Sequence, residues 1–273
     1  MSLIAGYQTM EALGGGSHGQ VHKAMPPERL GLGGAEPVAL KVFDRATDHA
    51  EFERVVEEVK VYAAAASGCE QLAPMVDVGR HGERLYLAMA YYPMGSLASR
   101  RGEMNPIDVV KVMADAARGA HALHEAGMVH REIKPANVFL TGQSTGVLAD
   151  LGLAHVVSPG QTVTGLGVSS LATMEPGLVR GETSARASDI WSLGATLHWG
   201  LTGHGVFANL PESNLIAALR HIMTATPDVQ GDGLPEPVQA ILRRCLAADR
   251  MERYSTAQEL ADDLDEVEGL VNA

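Results

Sequence analysis

Four glycines fall between positions 14 and 19, and the chain that follows them reads as a strand and not as a helix. Gly14-Gly15-Gly16-Ser17-His18-Gly19 leads through Gln20 into Val21-His22-Lys23-Ala24-Met25, and Pro26-Pro27 then breaks the run. Glycines let backbone N–H groups approach anionic oxygens with no side chain in the way, so the segment is a candidate phosphate cradle. A cradle that opened a helix would indicate a dinucleotide-binding βαβ unit. One that continues as strand excludes that reading. Residues 7–24 and 38–43 alternate apolar with small or polar positions, as short antiparallel strands do. The prolines and glycines of residues 26–37 between them predict an enlarged hairpin loop.

Beyond this sheet the periodicity changes. Phe52, Val55, Val56, Val59 and Tyr62 recur at helical spacing within residues 48–66, whereas Leu85-Tyr86-Leu87-Ala88-Met89 reads as a buried strand. Ala90-Tyr91-Tyr92-Pro93-Met94-Gly95 follows as a linker, which sets a boundary between residues 1–90 and 91–273 with a hinge at about 90–94. Asn105-Pro106-Ile107-Asp108 supplies an N-cap, a proline at the first helical position and an acid in the first turn. Gly127 stops the helix, which delivers the chain to His130. Ser255-Thr256-Ala257-Gln258-Glu259 predicts a capping box opening a last, acidic helix.

Composition bounds the function classes. With 273 residues, 46% of them hydrophobic, the chain can bury one or two sizeable cores. A net charge of -12 argues against a nucleic-acid surface, and Arg100-Arg101 and Arg243-Arg244 are isolated pairs on solvated faces. Cys69 and Cys245 are far apart and lack metal-ligand spacing, which predicts neither a disulfide framework nor a zinc site and points to a reducing cytoplasm. No run approaches the roughly 18 apolar residues of a membrane span.

His130-Arg131-Glu132-Ile133-Lys134-Pro135-Ala136-Asn137, followed by Asp150-Leu151-Gly152, resembles the catalytic and metal-binding segments of protein kinases. The glycine-rich loop running into Val21 and Val38-Ala39-Leu40-Lys41 match two further segments of that family in the right order, and Ser188-Asp189-Ile190-Trp191 and Asp249–Arg253 two more. The likeness covers residues 7 to about 265 and is nearest to bacterial Ser/Thr kinases. It implies an α+β fold of two lobes, a small β-rich N-lobe and a larger helical C-lobe, with ATP and Mg²⁺ as cofactors and a protein substrate or regulatory protein as partner.

Residue by residue, the resemblance implies that Gly14, Gly15, Gly16, Ser17, His18 and Gly19 cover the phosphates, and that Val21, Ala39, Met89 and Phe139 enclose the adenine. Backbone groups of Ala90 and Tyr92 would hydrogen-bond the base. Lys41 would hold phosphates and pair with Glu58, or failing that Glu57; Asn137 and Asp150 would hold magnesium, and Lys134 would neutralise the transferred group. Asp189 would hold the backbone near His130, and Arg131 would read a phosphate on Thr162, Thr164, Ser169 or Ser170.

The sequence departs from the family at three places. Glu132 stands where the family has aspartate, lengthening the carboxylate by about 1.5 Å. Thr173-Met174-Glu175-Pro176-Gly177 stands for Y-M-A-P-E, so Arg253 is expected to lack the glutamate that the family places at 177. Ser169-Ser170-Leu171 replaces G-T-P. The resemblance therefore implies a Ser/Thr kinase of reduced or conditional activity, or alternatively a nucleotide-binding pseudokinase acting as a regulatory module.

Overall fold

The structure, a computed structural model, describes residues 3–16, 19–32, 36–153, 168–211, 213–229 and 233–271. An N-terminal β-rich region precedes a helical one. The first holds β1 (Leu3–Ile4), β2 (Tyr7–Gly16), β3 (Gly19–Met25), β4 (Val38–Ala46), α1 (His49–Ser67), β5 (Met75–His81) and β6 (Arg84–Ala90). Its strands form one six-stranded antiparallel sheet in the order β1-β2-β3-β4-β6-β5. β2 and β3 pair as a hairpin, with Gly14 opposite Val21 and Gly16 opposite Gly19. Gly19 is needed for packing, since a Cβ there would lie 2.1 Å from the Val42 carbonyl oxygen on β4.

Local chemistry explains the helix starts. Asp48 caps α1 by accepting from Glu51 N, while the Glu51 carboxylate accepts from Asp48 N, a reciprocal box that satisfies two otherwise orphaned donors. Val55, Val59 and Tyr62 form the buried stripe of α1, and Tyr62 Oη donates to the Ala73 carbonyl. Between β3 and β4 the enlarged loop carries a short 3₁₀ turn, Glu28–Leu30. It is tied down by Arg29, which bonds Asp77 Oδ2 at 2.8 Å and the Tyr86 hydroxyl at 3.1 Å.

No helix or strand follows β6 until α2 (Pro106–Glu125), capped by Asn105 as its sequence predicts. Then come the hairpin β7 (Val138–Leu140) and β8 (Gly146–Leu148), short helices α3 (Val168–Leu171) and α4 (Pro176–Val179), and α5 (Arg186–Thr202), α6 (Leu215–Thr224), α7 (Glu236–Cys245) and α8 (Ala257–Val271). Thr256 Oγ1 accepts from Glu259 N, the cap half of the expected box, while the Glu259 carboxylate accepts from Ser255 N, one residue before the cap. The largest apolar cluster runs through both regions, joining Val55, Tyr62 and Leu85 to Leu123, Leu148 and Trp191. Among the described residues no helix is long and apolar enough to cross a membrane.

Candidate active site

Asp189, in the first turn of α5, is the buried anchor of the site. Its carboxylate accepts the backbone N–H groups of His130 (2.7 Å) and Arg131 (2.9 Å) and the Nε2–H of His124 (2.9 Å). These bonds hold Arg131 in a left-handed conformation, φ 70°, which turns the following side chains toward the cleft. The His130 ring is fully buried; Nε2–H donates to the Ala149 carbonyl and Nδ1 accepts from Glu132 N. Burial lowers its pKa below the usual range despite the nearby carboxylates, so the ring is neutral.

Glu132 therefore presents its side chain into the site. Its carboxylate meets Lys134 Nζ at 2.5 Å and the Ser170 hydroxyl at 3.3 Å, and Lys134 Nζ also donates to Ser170 Oγ at 3.1 Å. Acid, cation and hydroxyl form a closed triangle. Thr173 keeps Ser170 there from the other side, donating to the Ile133 carbonyl while its own carbonyl accepts from Ser192.

The hairpin β7–β8 places the two expected metal ligands. Val138 pairs with Leu148 across the ladder, and Ala149 N–H donates to the Asn137 carbonyl at 2.9 Å, so Asn137 and Asp150 leave the same end together. Asn137 spends its amide nitrogen on the Glu132 carbonyl at 2.8 Å, which leaves Oδ1 to face a cation. Among the described residues no group of three or more His, Cys, Asp or Glu side chains is arranged around a metal. Two protein donors suit Mg²⁺, which takes its remaining ligands from water and phosphate oxygens.

One expected pair is not formed. Lys41, in the middle of β4, bonds both Asp150 oxygens, at 2.5 and 2.8 Å, and not Glu58. Burial alone would lower the lysine pKa and raise that of the carboxyl; their mutual attraction overrides both, so Lys41 titrates above its usual range and Asp150 below. Glu58 lies 3.9 Å from Arg131 Nη1, and exposed Glu57 pairs with Lys60. The position of α1 against the sheet decides this, because Glu58 sits beside the buried Val55-Val59-Tyr62 stripe and turns toward Arg131.

A second expectation is corrected. Arg253 does not lack a carboxylate: Glu175, two residues before Gly177, reaches its Nη1 at 2.7 Å and also takes a two-pronged contact from Arg250 at 2.7 and 2.8 Å. Burial alone would raise the Glu175 pKa, but hydrogen bonds from Arg250, Ser188 and Arg253 bring it down to about 2. Gly177 faces Glu182, and a Cβ at that position would lie 2.7 Å from its carboxylate. The acid has moved across Pro176, and the signal was in the sequence as Glu175 itself.

Between the two regions opens a cavity of about 450 Å³. Gly14, Gly15, Gly19, Val21, Ala39, Lys41, Met89, Ala90, Tyr92, Asn137, Phe139 and Asp150 line it, together with Glu132 and Lys134. Phe139 stacks on Tyr92, ring centroids 5.7 Å apart. The Ala90 N–H donates to the Pro74 carbonyl, so its own carbonyl is what it can offer a ligand. Gly16 pairs with Gly19 in the hairpin. Ser17, His18, Thr162 and Thr164 lie outside the described residues, as does the side chain of Ser169. Ser170, considered only as a phosphate acceptor, and Glu175, which was assigned no role, are the site residues that sequence reasoning missed.

The profile of the family described as protein kinase domain matches residues 7–264. Serine/threonine-protein kinase PknK of Mycobacterium tuberculosis is 30% identical over 271 residues, covering 97% of this chain and 24% of that protein. Serine/threonine-protein kinase PknL of the same organism is 30% identical over 239 residues, 85% of this chain and 59% of that one. This chain thus spans about a quarter of the length of PknK. A crystal structure of the M. tuberculosis PknI kinase domain superposes with a TM-score of 0.72 at 22% identity, covering 98% of each chain. With its motifs in order on this fold, the chain belongs to the protein kinase domain family.

Proposed function

We propose that this chain is a Ser/Thr protein kinase domain that transfers the γ-phosphoryl of ATP to a protein hydroxyl. The observation that carries it is the triangle of Glu132, Lys134 and Ser170 at the mouth of a cavity lined by Lys41, Asn137 and Asp150. We take residues 1–90 as an N-lobe and 91–273 as a C-lobe, with the base held at the hinge by Ala90 and Tyr92. Asn137 and Asp150 would hold Mg²⁺, which would supply positive charge to offset that of the phosphates.

In this reading Glu132 orients the acceptor hydroxyl and takes its proton as the acceptor oxygen bonds to the γ-phosphorus and the bond to the β,γ-bridging oxygen breaks. Lys134 stabilises the charge on the group in transit, and Lys41 leaves Asp150 to hold the α and β phosphates. Phe139, Val21, Ala39 and Met89 enclose the base.

A second reading, a nucleotide-binding pseudokinase, is favoured by one observation: both lysines are held by carboxylates of the site itself, Lys41 by Asp150 and Lys134 by Glu132. Labelled-ATP transfer to a general protein substrate separates the two. We expect transfer by the parent, a similar or higher rate for Glu132→Asp, and none for Asp150→Asn. A parent inert with both Mg²⁺ and Mn²⁺, and not rescued by Glu132→Asp, leaves only the pseudokinase.

A further inference from the structure

A second groove, of about 1010 Å³, starts at Lys134 and Ala136, which it shares with the nucleotide cavity, and crosses the helical region to Trp199, Phe207 and Leu210. Because Lys134 touches Glu132, a chain whose hydroxyl lay at that carboxylate would extend along this groove. Its wall is largely apolar. Its charged groups are Lys134, Arg101 and Asp228, with His204 beside them. Lys134 is committed to Glu132, and Asp228 lies 3.8 Å from the buried ring of His198.

Arg101 is different. Its guanidinium lies 5.5 Å from the ring centroid of Trp199 and donates to the Gly203 carbonyl, which uses one of its five N–H groups. Among the described residues Glu103, the carboxylate nearest to it in sequence, is taken by Arg100 at 3.0 Å. An arginine fixed on an aromatic face, with donors left over and no ion pair formed among the described residues, in a chain of net charge -12, is suited to an incoming acid.

Resting on the kinase reading above, we infer that this groove selects the acceptor protein, with Arg101 favouring a substrate that carries Asp or Glu near the phosphorylated residue and disfavouring one that carries Lys or Arg there. The rival account is that Arg101 only caps the carbonyl end of α5. That account predicts no discrimination between peptides by charge.

The test is binding, followed by transfer. Fluorescent peptides with a central Ser in an Ala background would carry Glu, or Lys in its place, at each of five positions on either side, and be titrated into the full chain by anisotropy. At the best position Glu should bind about fivefold more tightly than Lys, since attraction is exchanged for repulsion at a half-exposed site. The advantage should shrink in high salt, vanish in Arg101→Gln and reverse in Arg101→Glu, with melting curves showing both variants folded. Equal binding of the two series, binding of neither at millimolar peptide, or a preference that survives Arg101→Gln overturns the inference. Transfer rates on the same peptides separate it from the reading on which it rests. An Arg101-dependent preference in binding without transfer sinks the kinase and keeps the groove; transfer without that preference does the reverse.

Discussion

Replacing Glu175 by Ala would remove the one carboxylate that Arg250 and Arg253 share. Arg253 is 4% exposed, and after the substitution it would retain hydrogen bonds to the Ala247 and Ala187 carbonyls and its place over the Trp191 ring, but no countercharge. Breaking a buried pair from one side typically costs about 3–5 kcal/mol. An independent route gives a similar figure. A carboxyl lowered from 4.5 to about 2 on folding contributes on the order of 3 kcal/mol at neutral pH, at about 1.4 kcal/mol per unit. The melting temperature should therefore fall by roughly 6–12 °C for a chain of this size. Because the folded pKa is the lower one, this stabilisation is complete above the unfolded pKa and is lost as pH falls through the folded one. Urea titrations of parent and Glu175→Ala should then show a gap that narrows by about 1.4 kcal/mol per pH unit between about 4.5 and 2. Adding Gly177→Glu should restore only part of the loss, since the new side chain starts 2.7 Å from the Glu182 carboxylate. A gap below about 1 kcal/mol at pH 7, within the range of an ordinary surface pair, or one unchanged at pH 3.5, refutes this account of the cluster.

Other outcomes follow from the cleft. Mg-ATP at a hundredfold excess over its Kd should stabilise the chain by about 2.7 kcal/mol in a melting assay, and Lys41→Ala should remove most of that gain. Phe139→Ala should weaken ATP binding while leaving tripolyphosphate little affected, because the ring stacked on Tyr92 would meet only the base; calorimetry with both ligands reads the difference, and equal losses would assign the residue to folding. Asp189→Ala should cost several kcal/mol in urea unfolding, since it strands the buried His130 N–H and His124 ring and the part-buried Arg131 N–H, at about 1–3 kcal/mol for each buried group. A loss under about 1 kcal/mol would mean that another group anchors the segment at His130.

What the sequence makes legible here is short-range and periodic. The Asn105 cap, the helical spacing of apolar residues within 48–66 and the alternation of residues 7–24 each constrain a few neighbouring residues, and each produces the element expected of it. Asp189 was legible as well, because two of its three contacts are the backbone N–H groups of His130 and Arg131, the segment to which its motif assigned it.

The partners of Lys41 and Arg253 were not legible, and the reasons differ. For Arg253 the expectation fixed the acid to one position, whereas the requirement is a carboxylate within reach of two guanidinium groups. Pro176 starts α4 with its preceding residue extended, ψ 132° at Glu175, and that geometry directs the earlier side chain inward as Gly177 turns to Glu182. For Lys41 the deciding quantity is where a rigid helix rests. Hydrophobic periodicity selects the Val55-Val59-Tyr62 stripe as the buried face, but Glu58 is one residue from that stripe. A small rotation or shift of α1 exchanges Arg131 for Lys41 as its neighbour without altering the pattern. The Lys41 contact is thus coupled to the metal position through Asp150: ligands that draw Lys41 toward phosphate release the carboxylate that would bind magnesium, and a carboxylate on α1 would then be a replacement for the lost partner. Holding α1 by a cross-link to β5 in its present place should accordingly lower nucleotide affinity, whereas unchanged affinity would show that Lys41 can leave Asp150 without any help from Glu58.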